Sequence, residues 1–113
     1  MADASWETLC TLTDLDKSGR VTRWIGASEV TAFRENGVIH VVRSICPHAG
    51  GPLGEGKIVA REDGPAVRCP WHGYTYTLAN GACADHPALS ISPIPFRTEN
   101  GAILIQPPAT LMP

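Results

Sequence analysis

Apolar and polar residues alternate with a period of two through much of this chain, the periodicity of half-buried β-strands. VTRWI (21–25), EVTAFR (29–34) and VIHVVRS (38–44) predict three strands. AVRC (66–69), YTYTL (74–78), LSISPIPF (89–96) and AILIQ (102–106) predict four more. Asn-Gly occurs at 36–37, 80–81 and 100–101. Both residues tolerate the positive φ of tight hairpin loops, so each pair is expected to punctuate two strands. FRENGVIHVV (33–42) and FRTENGAILI (96–105) are the clearest hairpins. No long stretch has helical periodicity, and one candidate helical turn lies near TLTDLDKSG (11–19). The pattern predicts an all-β fold, an antiparallel sandwich or small barrel. The tail PPATLMP is expected to be frayed or loosely packed.

Length and composition narrow this only a little. The 113 residues fit a single domain, 1–113, without repeats or linker. At 43% hydrophobic and 18% charged, the chain has enough apolar material for an ordinary core. A net charge of -2 gives no sign of nucleic-acid binding. MADASWETLC has no basic residue and no apolar run, so neither a secretory signal nor a membrane span is expected. A cytoplasmic location is the matching expectation. There the four cysteines, Cys10, Cys46, Cys69 and Cys83, are expected to bind metal or stay unpaired rather than form disulfides.

The chemistry is concentrated in two stretches, CPHAGGPL (46–53) and CPWHGYTY (69–76). Cys46 and His48 form C-x-H, and Cys69 and His72 form C-x2-H. Two thiolates and two imidazoles suit tetrahedral Zn²⁺. They also suit a [2Fe–2S] cluster with cysteines on one iron and histidines on the other. Zinc sites on β-loops commonly use C-x2-C knuckles or a helix carrying two histidines, and neither occurs here. Two separate Cys/His loops favour a diatomic iron target. Gly50, Gly51 and Gly73 let backbone approach and aim N–H groups at sulfur. Pro47, Pro52, Leu53 and Pro70 are expected to form an apolar rim.

The strings CPHAGGPLGEG and CPWHGYTYTLANGAC resemble Rieske iron–sulfur proteins, in particular the ferredoxins of bacterial ring-hydroxylating dioxygenases. The likeness runs from about Trp24 to Gln106. It implies a Rieske-like antiparallel β-sandwich with a small cluster-binding subdomain at about 44–80. It also implies one [2Fe–2S] cluster on Cys46, His48, Cys69 and His72. REDGPA makes the segment between the motifs longer than is usual in the family, and the extra length is expected in a hairpin tip. Respiratory relatives join their cluster loops by a disulfide at the positions of Gly51 and Trp71, which this chain lacks. Those relatives donate hydrogen bonds to sulfur from a Ser and a Tyr. Tyr74 fills the Ser position and Tyr76 the Tyr position, so a reduction potential in the lower part of the Rieske range is expected.

Neutral histidines in place of two thiolates leave the oxidised site without net charge, which eases electron uptake. His40 is read as a packed or edge-strand residue and His86 as a surface residue in ADHPALS. Cys83 is read as a small buried filler. Trp71 and Tyr74 flank a ligand and fit either rim packing or partner contact. His40 and His86 do not complete a 2-His-1-carboxylate iron site, and no dinucleotide fingerprint occurs. The expectation is therefore a monomeric electron carrier rather than an enzyme. It would take one electron from a ferredoxin reductase and pass it to a terminal oxygenase, without nucleic-acid or membrane partners. The rivals are a small subunit of a nitrite-reductase-like or other oxidoreductase complex, and a structural zinc domain.

Overall fold

The computed structural model describes residues 6–47, 50–71, 73–91 and 93–106. Among them, β1 (Glu7–Thr11) leads into a short helix α1 (Leu12–Ser18). Then follow β2 (Arg20–Ile25), β3 (Ser28–Glu35) and β4 (Val38–Arg43). A 3₁₀ turn (Leu53–Glu55) precedes β5 (Lys57–Arg61), β6 (Gly64–Arg68) and β7 (Thr75–Thr77). The last hairpin is β8 (Phe96–Glu99) and β9 (Ala102–Ile105). The strands form three antiparallel sheets, ordered β1-β9-β8, β2-β3-β4 and β5-β6-β7. The all-β reading holds.

Strand periodicity explains the layering. Along β3, Val30 and Ala32 enter a core shared with Leu9, Ile103 and Ile105 from the first sheet. Phe33 enters a second core with Val67, Tyr76 and Leu78 from the third. Neighbouring residues on a strand point to opposite faces, so β2-β3-β4 is the shared middle layer. Both predicted hairpins form on left-handed Asn-Gly pairs. Their φ values are 53° and 79° at Asn36-Gly37, and 52° and 79° at Asn100-Gly101. The longer segment at REDGPA is indeed a hairpin tip, between β5 and β6. The candidate helical turn is α1, where the Thr11 hydroxyl accepts from Asp14 N–H at 3.0 Å and Gly19 closes the C-terminus at φ 81°.

Three expectations need correction. LSISPIPF is no strand among its described residues before Phe96: it makes isolated bridges at Ser90 and Pro93. Pro93 and Pro95 lack the N–H that a ladder requires. Asn80-Gly81 does not link two ladder strands. Instead Gly81 N–H closes a five-residue turn onto the Thr77 carbonyl at 2.7 Å, and Asn80 Oδ1 accepts from Ala82 N–H. Finally, β1 and β5 were not anticipated. In β1 the register shifts between Thr8 and Cys10, so adjacent Leu9 and Cys10 are both buried and the alternation is lost.

Candidate metal centre

Cys46 follows β4 and Cys69 follows β6, and the two turns they begin share one backbone frame. Cys46 C=O accepts from Gly50 N–H at 2.8 Å, and Cys46 N–H donates to Gly51 C=O at 2.9 Å. Cys69 C=O accepts from Gly73 N–H at 3.0 Å, and Cys69 N–H donates to Tyr74 C=O at 2.7 Å. The fifth residue of each turn, Gly50 or Gly73, is left-handed, with φ of 75° and 77°. A Cβ is strained there, so glycine is the natural occupant. Repetition of Cys-Pro…His…Gly in the sequence is thus repetition of a turn. His48 and His72, the two histidines of the motifs, lie outside the described residues.

The turns meet through Gly51. A Cβ on Gly51 would stand 2.9 Å from Cys69 Sγ and 3.0 Å from ring atoms of Trp71. The first loop therefore packs directly on the cysteine and indole of the second, at the two positions where respiratory relatives place a disulfide. Both thiols are almost fully buried, at 1% and 2% exposure. Among the described residues no cysteine forms a disulfide.

Polar groups from the middle sheet seat the first loop. Ser44 Oγ accepts from Gly54 N–H at 3.0 Å. Arg20 Nη1 donates to the carbonyls of Gly54 and Gly56 at 2.9 and 2.6 Å, with its guanidinium 5.0 Å above the Phe33 ring. Thr22 and Thr31 share a hydroxyl bond of 2.7 Å beside them. This seat was missed from the sequence, because Arg20 is remote from the motifs and resembles any exposed strand cation. Leu53 was misread. It is fully buried in the second core rather than in a rim, whereas Pro47 and Pro70 are exposed.

Tyr76 lies entirely in the core with its hydroxyl 3.2 Å from Cys46 Sγ. Burial, reinforced by the bond to Cys46 and by the neighbouring thiols, pushes its phenol far above the usual range. The hydroxyl keeps its proton, and toward a thiolate it is necessarily the donor. Tyr74 is half-buried and stacks with His86, the ring centroids 6.4 Å apart. His86 is exposed, as read, and its Nδ1 accepts from Ala88 N–H. Cys83 packs in the second core, and Cys10 in the first, where burial raises its thiol pKa. His40 is half-buried on β4, and burial lowers its pKa.

These residues fit a [2Fe–2S] group. Buried sulfurs on facing loops, a glycine surface against one and a hydroxyl donor on the other match the needs of thiolate ligands in an iron–sulfur site. Comparison with known proteins agrees. Residues 5–95 match the Rieske [2Fe-2S] domain, and the chain belongs to that family, whose domains bind a [2Fe–2S] cluster and carry electrons. It is similar to the Homo sapiens Rieske domain-containing protein, 41% identical over 60% of this chain and 43% of that one. The ferredoxin component of the Xanthobacter autotrophicus alkene monooxygenase system is 26% identical over 91% of this chain and 82% of its own length. A solved structure assigned as the NADH-dependent nitrite reductase small subunit of Mycobacterium tuberculosis superposes with a TM-score of 0.81. That match is 26% identical and covers 96% of this chain and all of the other. Among the described residues, no helix is long and apolar enough to cross a membrane.

Proposed function

We propose that this chain is a ferredoxin passing single electrons from a reductase to a terminal ring-hydroxylating oxygenase, with its cluster on Cys46, His48, Cys69 and His72. The cluster, when bound, takes up and releases one electron. The chain's own part is to hold that group near the surface, exclude water from its sulfurs and set its potential. The observation carrying the reading is the pair of identical turns, each presenting a buried cysteine, packed together at Gly51. The cluster-binding subdomain is then about 44–80 within one domain, 1–113. The carrier is a cytoplasmic monomer and catalyses no substrate reaction by itself. The likeness to the alkene monooxygenase ferredoxin component, over 91% of this chain and 82% of that one, supports the ferredoxin part of this reading.

Single-ligand variants test the cluster site. Cys46→Ser and Cys69→Ser abolish cluster assembly, while His48→Cys retains a cluster at lower potential because it adds negative charge. Retention of the visible spectrum in Cys46→Ser refutes the ligand set. A second reading, the small subunit of a nitrite reductase, is favoured by the TM-score of 0.81 over nearly the whole chain. Co-purification at native expression level separates the two. A free carrier elutes alone, and a permanent subunit elutes with its catalytic partner.

A further inference from the structure

We propose that the cleft beside the Cys69 turn docks an acidic segment of a protein electron-transfer partner, through Lys57, Arg68 and Trp71. The proposal rests on the reading of the chain as an electron carrier and adds the chemistry of the partner. Lys57 and Arg68 stand directly opposite each other in the β5–β6 ladder, and both are exposed. Like charges in register across a ladder are unfavourable. Neither takes part in an ion pair among the described residues, whose bridges join Arg23 to Asp14, Arg34 to Asp16 and Arg97 to Glu99. Two cations are thus held side by side in the ladder with no ion pair to either among the described residues.

The surroundings aim these charges. The Arg68 guanidinium lies against the second turn, its Nε and Nη2 3.2 Å from where a Cβ on Gly73 would stand. Trp71 is 58% exposed although its ring packs on Gly51, so a fixed indole faces outward. An indole offers apolar area and one N–H donor. Together with Glu55 these side chains line a cleft of about 460 Å³ that reaches Cys69. Glu55 is the single carboxylate in that lining, which leaves the cleft net positive on a chain whose total charge is -2. A local field opposite in sign to the whole molecule orients an approaching carboxylate-rich surface toward this edge.

Stopped-flow oxidation of the reduced, cluster-loaded protein by ferricyanide, with and without poly-L-glutamate, is the test. Poly-L-glutamate is expected to slow wild-type oxidation severalfold at low salt. The slowing disappears at about 0.5 M salt, where charges are screened within a few ångströms. It also disappears in the Lys57→Gln/Arg68→Gln double variant, and is halved or better in Lys57→Gln alone. No slowing of the wild type, or equal slowing of the double variant, overturns the proposal. So does an oligodeoxythymidylate that slows oxidation where poly-L-glutamate does not. A preparation without the visible cluster spectrum defeats the electron-carrier reading itself, and this proposal with it. A loaded preparation indifferent to poly-L-glutamate defeats only the docking surface.

Discussion

Tyr76→Phe removes one oxygen from a fully buried ring and leaves the rest of the side chain in place. The lost contact is the 3.2 Å approach of the hydroxyl to Cys46 Sγ. With Cys46 as a thiolate ligand, that hydroxyl stabilises negative charge on sulfur, more strongly after an electron has been added. Only the difference between the two redox states enters the potential. A net hydrogen bond contributes about 1 kcal/mol. For a one-electron couple a tenfold change is ~59 mV, so 1 kcal/mol corresponds to ~40 mV. With that whole contribution as the upper limit of the difference, the variant is expected to reduce tens of millivolts below wild type, up to ~40 mV, in cyclic voltammetry at pH 7. The wild type itself is expected in the lower part of the range from about -150 to +300 mV. Because the Tyr76 phenol keeps its proton far into the alkaline range, the difference should be constant from pH 6 to about pH 10. Equal potentials in the two proteins, with the visible spectrum intact, would refute the donor role and leave Tyr76 as a packed ring. A wild-type value near the top of the range would contradict the reading in which Tyr74 replaces the donating Ser of the respiratory relatives.

Other outcomes follow from the packing. Gly54→Ala drives a methyl into Thr31 Oγ1 and Ser44 Oγ, both buried, and should cost about 1–3 kcal/mol in urea unfolding as the seat of the first loop is forced apart. Cys10→Ala and Cys83→Ala should leave the visible spectrum unchanged, since these thiols pack in the cores, and bleaching by either contradicts the ligand set. His40 has a folded pKa below its ordinary value of 6.5, so the unfolded chain takes the proton first as pH falls. Its contribution to stability is complete above about pH 6.5 and is lost progressively below, and His40→Gln should flatten that part of the urea-stability profile. The Cys10 thiol runs the opposite way: its folded pKa is raised above 9.0, so its contribution is complete below pH 9 and fades above it.

Much of this architecture is legible in the sequence, for local reasons. Asn36-Gly37 and Asn100-Gly101 announce their hairpins because their φ requirement is intrinsic to the two residues. Cys46, His48, Cys69 and His72 stand out because four soft and borderline donors at two short spacings rarely occur without a metal. What escaped reading is non-local or irregular. The bulge in β1 buries two neighbours, Leu9 and Cys10, and defeats a period of two. In β5 a short KIVAR run carries charge at both ends and is half-buried at best, so its strand character comes from pairing with β6. LSISPIPF looks like a strand by apolar count, but its prolines allow single bridges only. Leu53 sits in the motif, yet its role is set by a core assembled from β3, β6 and β7, which no local rule anticipates. Likewise Arg20 reaches the first loop across 34 residues of sequence.

The central claim is that Cys46, His48, Cys69 and His72 hold a [2Fe–2S] cluster, and metal and sulfide analysis joined to EPR tests it most directly. Protein purified without oxygen should contain about two iron and two acid-labile sulfide per chain, and its dithionite-reduced form should give the low average g of a histidine-ligated cluster. One zinc per chain, no labile sulfide and no EPR signal on reduction would contradict it.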